Sequence, residues 1–215
     1  MTSKELVKSV YKQTRQELLS HGWAKCKKWE IYLKKINENV VGKVSFDYVS
    51  HARADLIEFS ATVSVSYKPL DLLYTDLTGT DVDPCSTATL AINLGYLMPE
   101  KTFLKWHYYL NDDHFDAQAT AKNMMATFIR YGYPWMEVNS TFDAFYKRIL
   151  REERQDFCPP YYRPLFHLLA KDYPSAIKEA EMMLENWPDD GTELSKSWRQ
   201  LANRIIDRAH TKFYR

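Results

Sequence analysis

Asp112, Asp113, His114 and Asp116 put three carboxylates and an imidazole within five residues. Hard divalent cations take oxygen ligands, and an Asp/His mixture can hold one for hydrolytic or nucleolytic chemistry. The same residues stand just before a stretch of helical period, where acidic side chains cap free amides and complement the helix dipole. Capping is the simpler reading, and a metal-dependent hydrolase or nuclease is its rival. A second acidic group, Asp71, Asp76, Asp81 and Asp83, encloses Gly79. It misses calcium-loop spacing, which needs Asp at alternate positions, Gly at the sixth and Glu at the twelfth. It reads as a solvated loop that would contribute to a protein-binding surface.

Other clusters have equally plain structural explanations. Lys25, Lys27 and Lys28 lie beside Trp23 and Trp29, a combination that suits phosphate or an acidic partner. Lysines also protect sheet edges from aggregation, which gives the same letters. Tyr131 to Met136 is an aromatic run suited to an interface or to a helix–sheet joint. Arg148, Arg151 and Arg154, interleaved with Glu152 and Glu153, read as a solvated helix face. Cys158, before two prolines, lacks the nucleophile-elbow or phosphate-loop context of a catalytic centre, and no catalytic residue is assigned. Cys26, Cys85 and Cys158 are odd in number and widely spaced, which argues against a disulfide scaffold and against a zinc site. No cofactor is expected.

The elements that must carry these residues fall into two regimes. Residues 57–67 alternate apolar and polar, the period of a strand with one buried face. The segments around Trp29–Leu33, Val40–Tyr48, Thr87–Leu94 and Thr102–Leu110 read as further strands, the first two forming a hairpin over Asn37–Asn39. The first is expected to turn Trp29, Ile31 and Leu33 to one face. Ahead of them, residues 3–20 suit an amphipathic helix, with Ser3 as N-cap and a stop at His21-Gly22. After Asp112 the period becomes helical: 117–131, stopping at Gly132 and Pro134, then 141–154, 162–171, 175–186 and 192–213. Segregated strands and helices predict an α+β fold, an N-terminal helix and mainly antiparallel four- to five-stranded sheet followed by a C-terminal helical part. The Cys158-Pro159-Pro160 break suggests an α+β domain over 1–157 and a helical subdomain over 158–215, packed as one body.

The chain has 215 residues, 45% hydrophobic and 27% charged, ample for a core. Its net charge of +1 argues against nucleic acid as partner. The charge is uneven: residues 1–53 carry 11 Lys/Arg against 5 Asp/Glu, and residues 54–100 carry 1 against 7. The opening Met-Thr-Ser-Lys-Glu-Leu-Val-Lys has charges where a signal peptide needs its apolar core, and no apolar run approaches the ~20 residues that span a bilayer. A cytoplasmic protein without membrane contact is expected.

A helix ending in Leu-Leu-Ser-His-Gly-Trp, then Lys27-Lys28-Trp29 opening a hairpin, then Ala91-Ile92-Asn93-Leu94-Gly95 on a strand, resembles a group of bacterial proteins catalogued as domain of unknown function 4304. The likeness covers residues 4–150 and brings no catalytic residues with it. The lack of a catalytic constellation, the aromatic-rich sheet and the charge split by segment point to a non-catalytic bacterial protein-binding module, in its sharpest form an immunity or antitoxin protein that neutralises a toxin. Contacts are expected at Asp71, Asp76, Asp81 and Asp83 and on the strand surface from Lys43 to Tyr67.

Overall fold

The computed structural model describes residues 2–27, 29–51, 55–85, 87–110, 116–150, 158–159, 161–187 and 189–213. Helix α1 (Ser3–Ser20) opens with a capping box. The Glu5 amide donates to Thr2 Oγ1 and the Thr2 amide donates to Glu5 Oε2 at 2.8 Å, so the cap is Thr2 and not the expected Ser3. Gly22, at φ +78°, turns the chain out of the helix. Strands β1 (Ala24–Lys25), β2 (Ile31–Lys35), β3 (Val40–His51) and β4 (Leu56–Tyr67) then form an antiparallel meander. Both β5 (Leu90–Asn93) and β6 (Trp106–Tyr109) pair antiparallel with β4, β5 beside Thr62–Val65 and β6 beside Leu56–Phe59. The architecture is α+β: one helix precedes the sheet, one lies between β4 and β5, and the rest follow β6.

Strand alternation decides which face becomes core. Val44 and Phe46 of β3, Ile57 to Val65 at every second position of β4, and Leu90 and Ile92 of β5 are buried together. In β2 the buried residue is Tyr32, 1% exposed, while Ile31 and Leu33 are half-buried and Trp29 is exposed. This reverses the expected face, because pairing Tyr32 with Val44 sets it on the apolar side. Helix α1 covers this face: the Tyr11 hydroxyl donates to Phe46 O at 2.8 Å, and its ring meets Phe59 edge-on.

Helix α3 (Ala117–Thr127) does not stop at Gly132. It widens into a π turn (Phe128–Gly132) and continues as α4 (Tyr133–Val138), with Pro134 in the first turn, where a missing amide costs nothing. The π turn brings Gly132 against the sheet, where a Cβ would lie 2.8 Å from Val63 Cγ1. Helix α5 (Phe142–Ile149) follows, and the expected helix beyond it (to Arg154) falls partly outside the described residues.

Helices α6 (Tyr162–Leu169), α7 (Tyr173–Asn186) and α8 (Glu193–Phe213) close the chain. They join the earlier part through side chains. Phe166 packs on Tyr67, Phe142 and Phe145, and α8 reaches helix α2 (Lys68–Thr78), where Arg204 donates to Leu77 O and Arg208 pairs with Asp76. One apolar cluster therefore crosses the break at Cys158-Pro159.

The second sheet face is polar. Register places Lys43 opposite Ser64, and Ser64 opposite Ala91; one row along, Ser45 stands opposite Thr62. Residues 80–85 and 87–89 cross this face as a strap. Ser66 Oγ donates to Thr87 O at 3.0 Å, the Thr89 amide donates to Val65 O at 2.9 Å, and Cys85 is disulfide-bonded to Cys26. The expectation of no disulfide is thereby overturned. The two cysteines are 59 positions apart, and only the folded hairpin sets their Cα atoms 6.2 Å from one another. Cys158 is buried and takes no part in this disulfide.

Candidate functional site

Helix α1 has a second stripe beside its buried one. Lys4, Lys8, Lys12 and Arg15 follow one another at helical spacing and are all exposed. With Tyr11, Lys25, Glu30 and Tyr48 they line a cleft of about 420 Å³ between α1 and the sheet. Lys25 is paired with Glu30, whose other oxygen accepts from the Tyr32 hydroxyl at 2.7 Å. Among the described residues, none of the four α1 cations has an ion-pair partner. Burial, reinforced by Asp47 and Glu30, keeps the Tyr11 phenol protonated far above neutral pH. The cleft is thus a row of cations without ion-pair partners among the described residues, with two tyrosine rings set into it.

The residues singled out in the sequence are dispersed. Asp76 is exposed and pairs with Arg208; Asp81 is exposed; Asp83 Oδ1 accepts from the Cys85 amide at 2.9 Å inside the strap. Asp71 is half-buried in α2 and accepts from the Tyr162 hydroxyl at 3.3 Å. Burial raises its carboxyl to about 6, against the opposing pull of Lys43 and Tyr162. Lys43 and Tyr67 are 3% and 8% exposed, so neither can touch a partner docked on the outside, and their assignment as surface contacts is corrected. Tyr67 belongs to the aromatic core with Phe145 and Phe166. Lys43 lies on the polar sheet face beneath the strap, where burial lowers its ammonium to about 8 although Asp71 and Asp83 act to hold the charge.

Of the proposed metal ligands, Asp112, Asp113 and His114 lie outside the described residues. Asp116 is the N-cap of α3, its Oδ1 accepting from the Gln118 amide at 2.7 Å and the Ala119 amide at 3.2 Å. Among the described residues, no group of three His, Cys, Asp or Glu side chains has a metal-holding arrangement. One polar cluster was not foreseen. Glu58 receives Lys105 Nζ at 2.8 Å and lies 2.9 Å from His51 Nε2 and 3.0 Å from His107 Nε2. Hydrogen bonds from Lys105 and His51 bring its carboxyl down to about 2. Glu58 is on β4 and its partners come from β3, β6 and the loop before β6, so no local spacing announces the cluster. The α1 stripe, by contrast, is visible in the sequence as basic residues at intervals of four, four and three.

Asn93-Leu94-Gly95, part of the motif that carried the family resemblance, is architectural. Asn93 Oδ1 accepts from the Gly95 amide at 2.9 Å and the Leu104 amide at 3.0 Å. A Cβ on Gly95 would lie 2.1 Å from Thr102 O.

No family model, curated protein or solved structure matches this chain. No helix of the described residues is long and apolar enough to cross a membrane.

Proposed function

We infer that this chain is a non-catalytic binding module whose partner is a protein presenting an acidic segment to the α1 cleft. The observation that carries the reading is the unpaired row Lys4, Lys8, Lys12 and Arg15 in one cleft with Tyr11 and Tyr48. Complementary charge steers encounter and fixes register, while aromatic rings supply contact area at small entropic cost. Neutralisation of a toxin is the sharpest form of this reading. We place the contact at the α1 cleft rather than at Asp71, Asp76, Asp81 and Asp83, because three of those four carboxylates are already engaged within the chain.

A photo-crosslinking residue at Lys12 in the native host, followed by binding measurements on the captured protein, tests this. Lys8→Glu/Lys12→Glu weakens binding of that partner by at least about tenfold, and the loss shrinks as salt is raised. A partner whose affinity ignores the double reversal defeats the proposal. Mixed-sequence oligonucleotides provide the competing arm: saturable binding to them, falling steeply with salt and lost in the same variant, assigns the cleft to nucleic acid instead.

A further inference from the structure

Strand β3 is twelve residues long, but β2 pairs with it only over residues 41–45. The reason is local: β2 starts at Ile31, where the turn out of β1 is closed by the Cys26 amide donating to Ile31 O at 2.8 Å. Among the described residues, no strand pairs with this side of β3 beyond Ser45. Residues 47–51 are all exposed and are held in the sheet by β4 alone.

Strand alternation says which backbone groups face the open edge. Val40 O accepts from the Ile36 amide on the β2 side, and Asn39 O accepts from the Lys68 amide on the β4 side. Residues two apart in a strand send their N–H and C=O the same way, so Tyr48 and Ser50 direct theirs outward, away from β4. Phe46 belongs to the same set, and its carbonyl receives the Tyr11 hydroxyl at 2.8 Å. An edge with free backbone groups is a template for a further strand. Lysine and proline, which commonly blunt such edges, do not occur in residues 46–51.

This edge runs along the α1 cleft. Tyr48 lines the cleft, its ring centroid 6.0 Å from that of Tyr11, and Lys4, Lys8, Lys12 and Arg15 form the α1 wall. A strand laid beside Tyr48 and Ser50 turns alternate side chains to the face that carries Tyr48, and so toward the α1 row. Its other side chains flank Asp47, Val49 and His51 on the second face. Acidic residues at every second position therefore meet cations without meeting Asp47. A second copy of this chain is a poor occupant. Antiparallel pairing through the same edge puts both α1 helices on one sheet face, like charge beside like.

We propose that the partner binds by strand addition: an extended segment with acidic residues at alternate positions pairs with the edge of β3 at Tyr48 and Ser50, and its carboxylates meet the α1 row. This mode rests on the acidic partner assigned to the α1 cleft, and it specifies that partner's backbone conformation and sequence pattern.

A dye-labelled, C-amidated octapeptide alternating Glu with Val and Thr is the probe, titrated against the full chain by fluorescence anisotropy. One saturable site is expected, weakened by at least about tenfold in Lys8→Glu/Lys12→Glu. Ser50→Pro leaves the β3–β4 ladder whole, because the N–H it deletes points outward, and it also weakens binding by about tenfold. In the parent chain the Tyr48 and Ser50 amides exchange more slowly with deuterated solvent once the peptide is bound, and this measurement decides alone should Ser50→Pro fail to fold. Binding that is lost in the double variant but indifferent to Ser50→Pro, with no slowing at those two amides, overturns strand addition and leaves the α1 cleft as the contact. Binding indifferent to both variants overturns strand addition and the α1 cleft together. No saturable binding overturns strand addition and leaves the cleft to the crosslinking experiment at Lys12. A concentration-dependent dimer abolished by Ser50→Pro overturns the assignment in favour of a second copy.

Discussion

Lys43 shows how a single side chain can be costly to the fold. Its ammonium titrates near 8 in the folded chain against 10.5 when free, so the unfolded chain holds more protons between those values. Stability contributed by this group therefore rises with pH from about 8 to 10.5, and below pH 8 the full burial penalty is present. The displacement corresponds to a cost on the order of 3 kcal/mol. Lys43→Met keeps the aliphatic stem and deletes the charge. Urea unfolding at pH 7 should show the variant more stable by ~1–3 kcal/mol, with an advantage that shrinks as pH climbs past 8. A variant less stable than the parent, with a pH-independent difference, contradicts this account. From the sequence, Lys43 looked like a surface residue because it lies in an alternating strand on the side opposite Val44. Alternation reports which residues share a face, but not whether a later segment will cover the polar one.

At the level of elements, the structure follows the sequence where a local rule operates. The alternation of 57–67 became β4, the Asn37–Asn39 turn joined β2 to β3, and Asp116 capped α3. Tertiary approach overrode local rules elsewhere. Gly132 and Pro134 are helix-stopping letters, yet the chain carries its helix past them because a π turn lets Gly132 press on Val63. The Cys26–Cys85 bond was illegible for the same kind of reason, since spacing along the chain says nothing of which thiols the hairpin will bring together. This bond closes a loop of 59 positions, for which chain entropy gives about 4 kcal/mol of stabilisation. Denaturant unfolding with and without dithiothreitol should differ by an amount of that order, and hydrogen exchange on reduction should speed up first in the strap around Thr87. Equal stability with and without the reductant would mean that hydrogen bonds to Val65, Ser66 and Tyr67 hold the strap without help from the disulfide.

Across the whole molecule, the aromatic cluster decides whether there are one or two cooperative units. Phe166 is fully buried, and its ring meets Tyr67 from the end of the sheet and Phe145 from α5. Phe166→Ala should cost about 3–5 kcal/mol and still leave a single unfolding transition, coincident by far-UV and near-UV circular dichroism. Two separated transitions would show that residues 158–215 melt on their own. The division foreseen at the Cys-Pro-Pro break came from a local signal, whereas the packing that bridges it comes from residues almost a hundred positions apart. The disulfide bears on the whole chain in another way. Persistent bonds of this kind belong to oxidising compartments, which sits against a cytoplasmic home. Its partners meet only once the hairpin is built, so a copy still inside a glutathione-rich space carries two thiols, and an exported copy carries none at those positions. The two differ by two hydrogen atoms, and intact-mass measurement on protein taken straight from its source would tell on which side of a membrane it has been living.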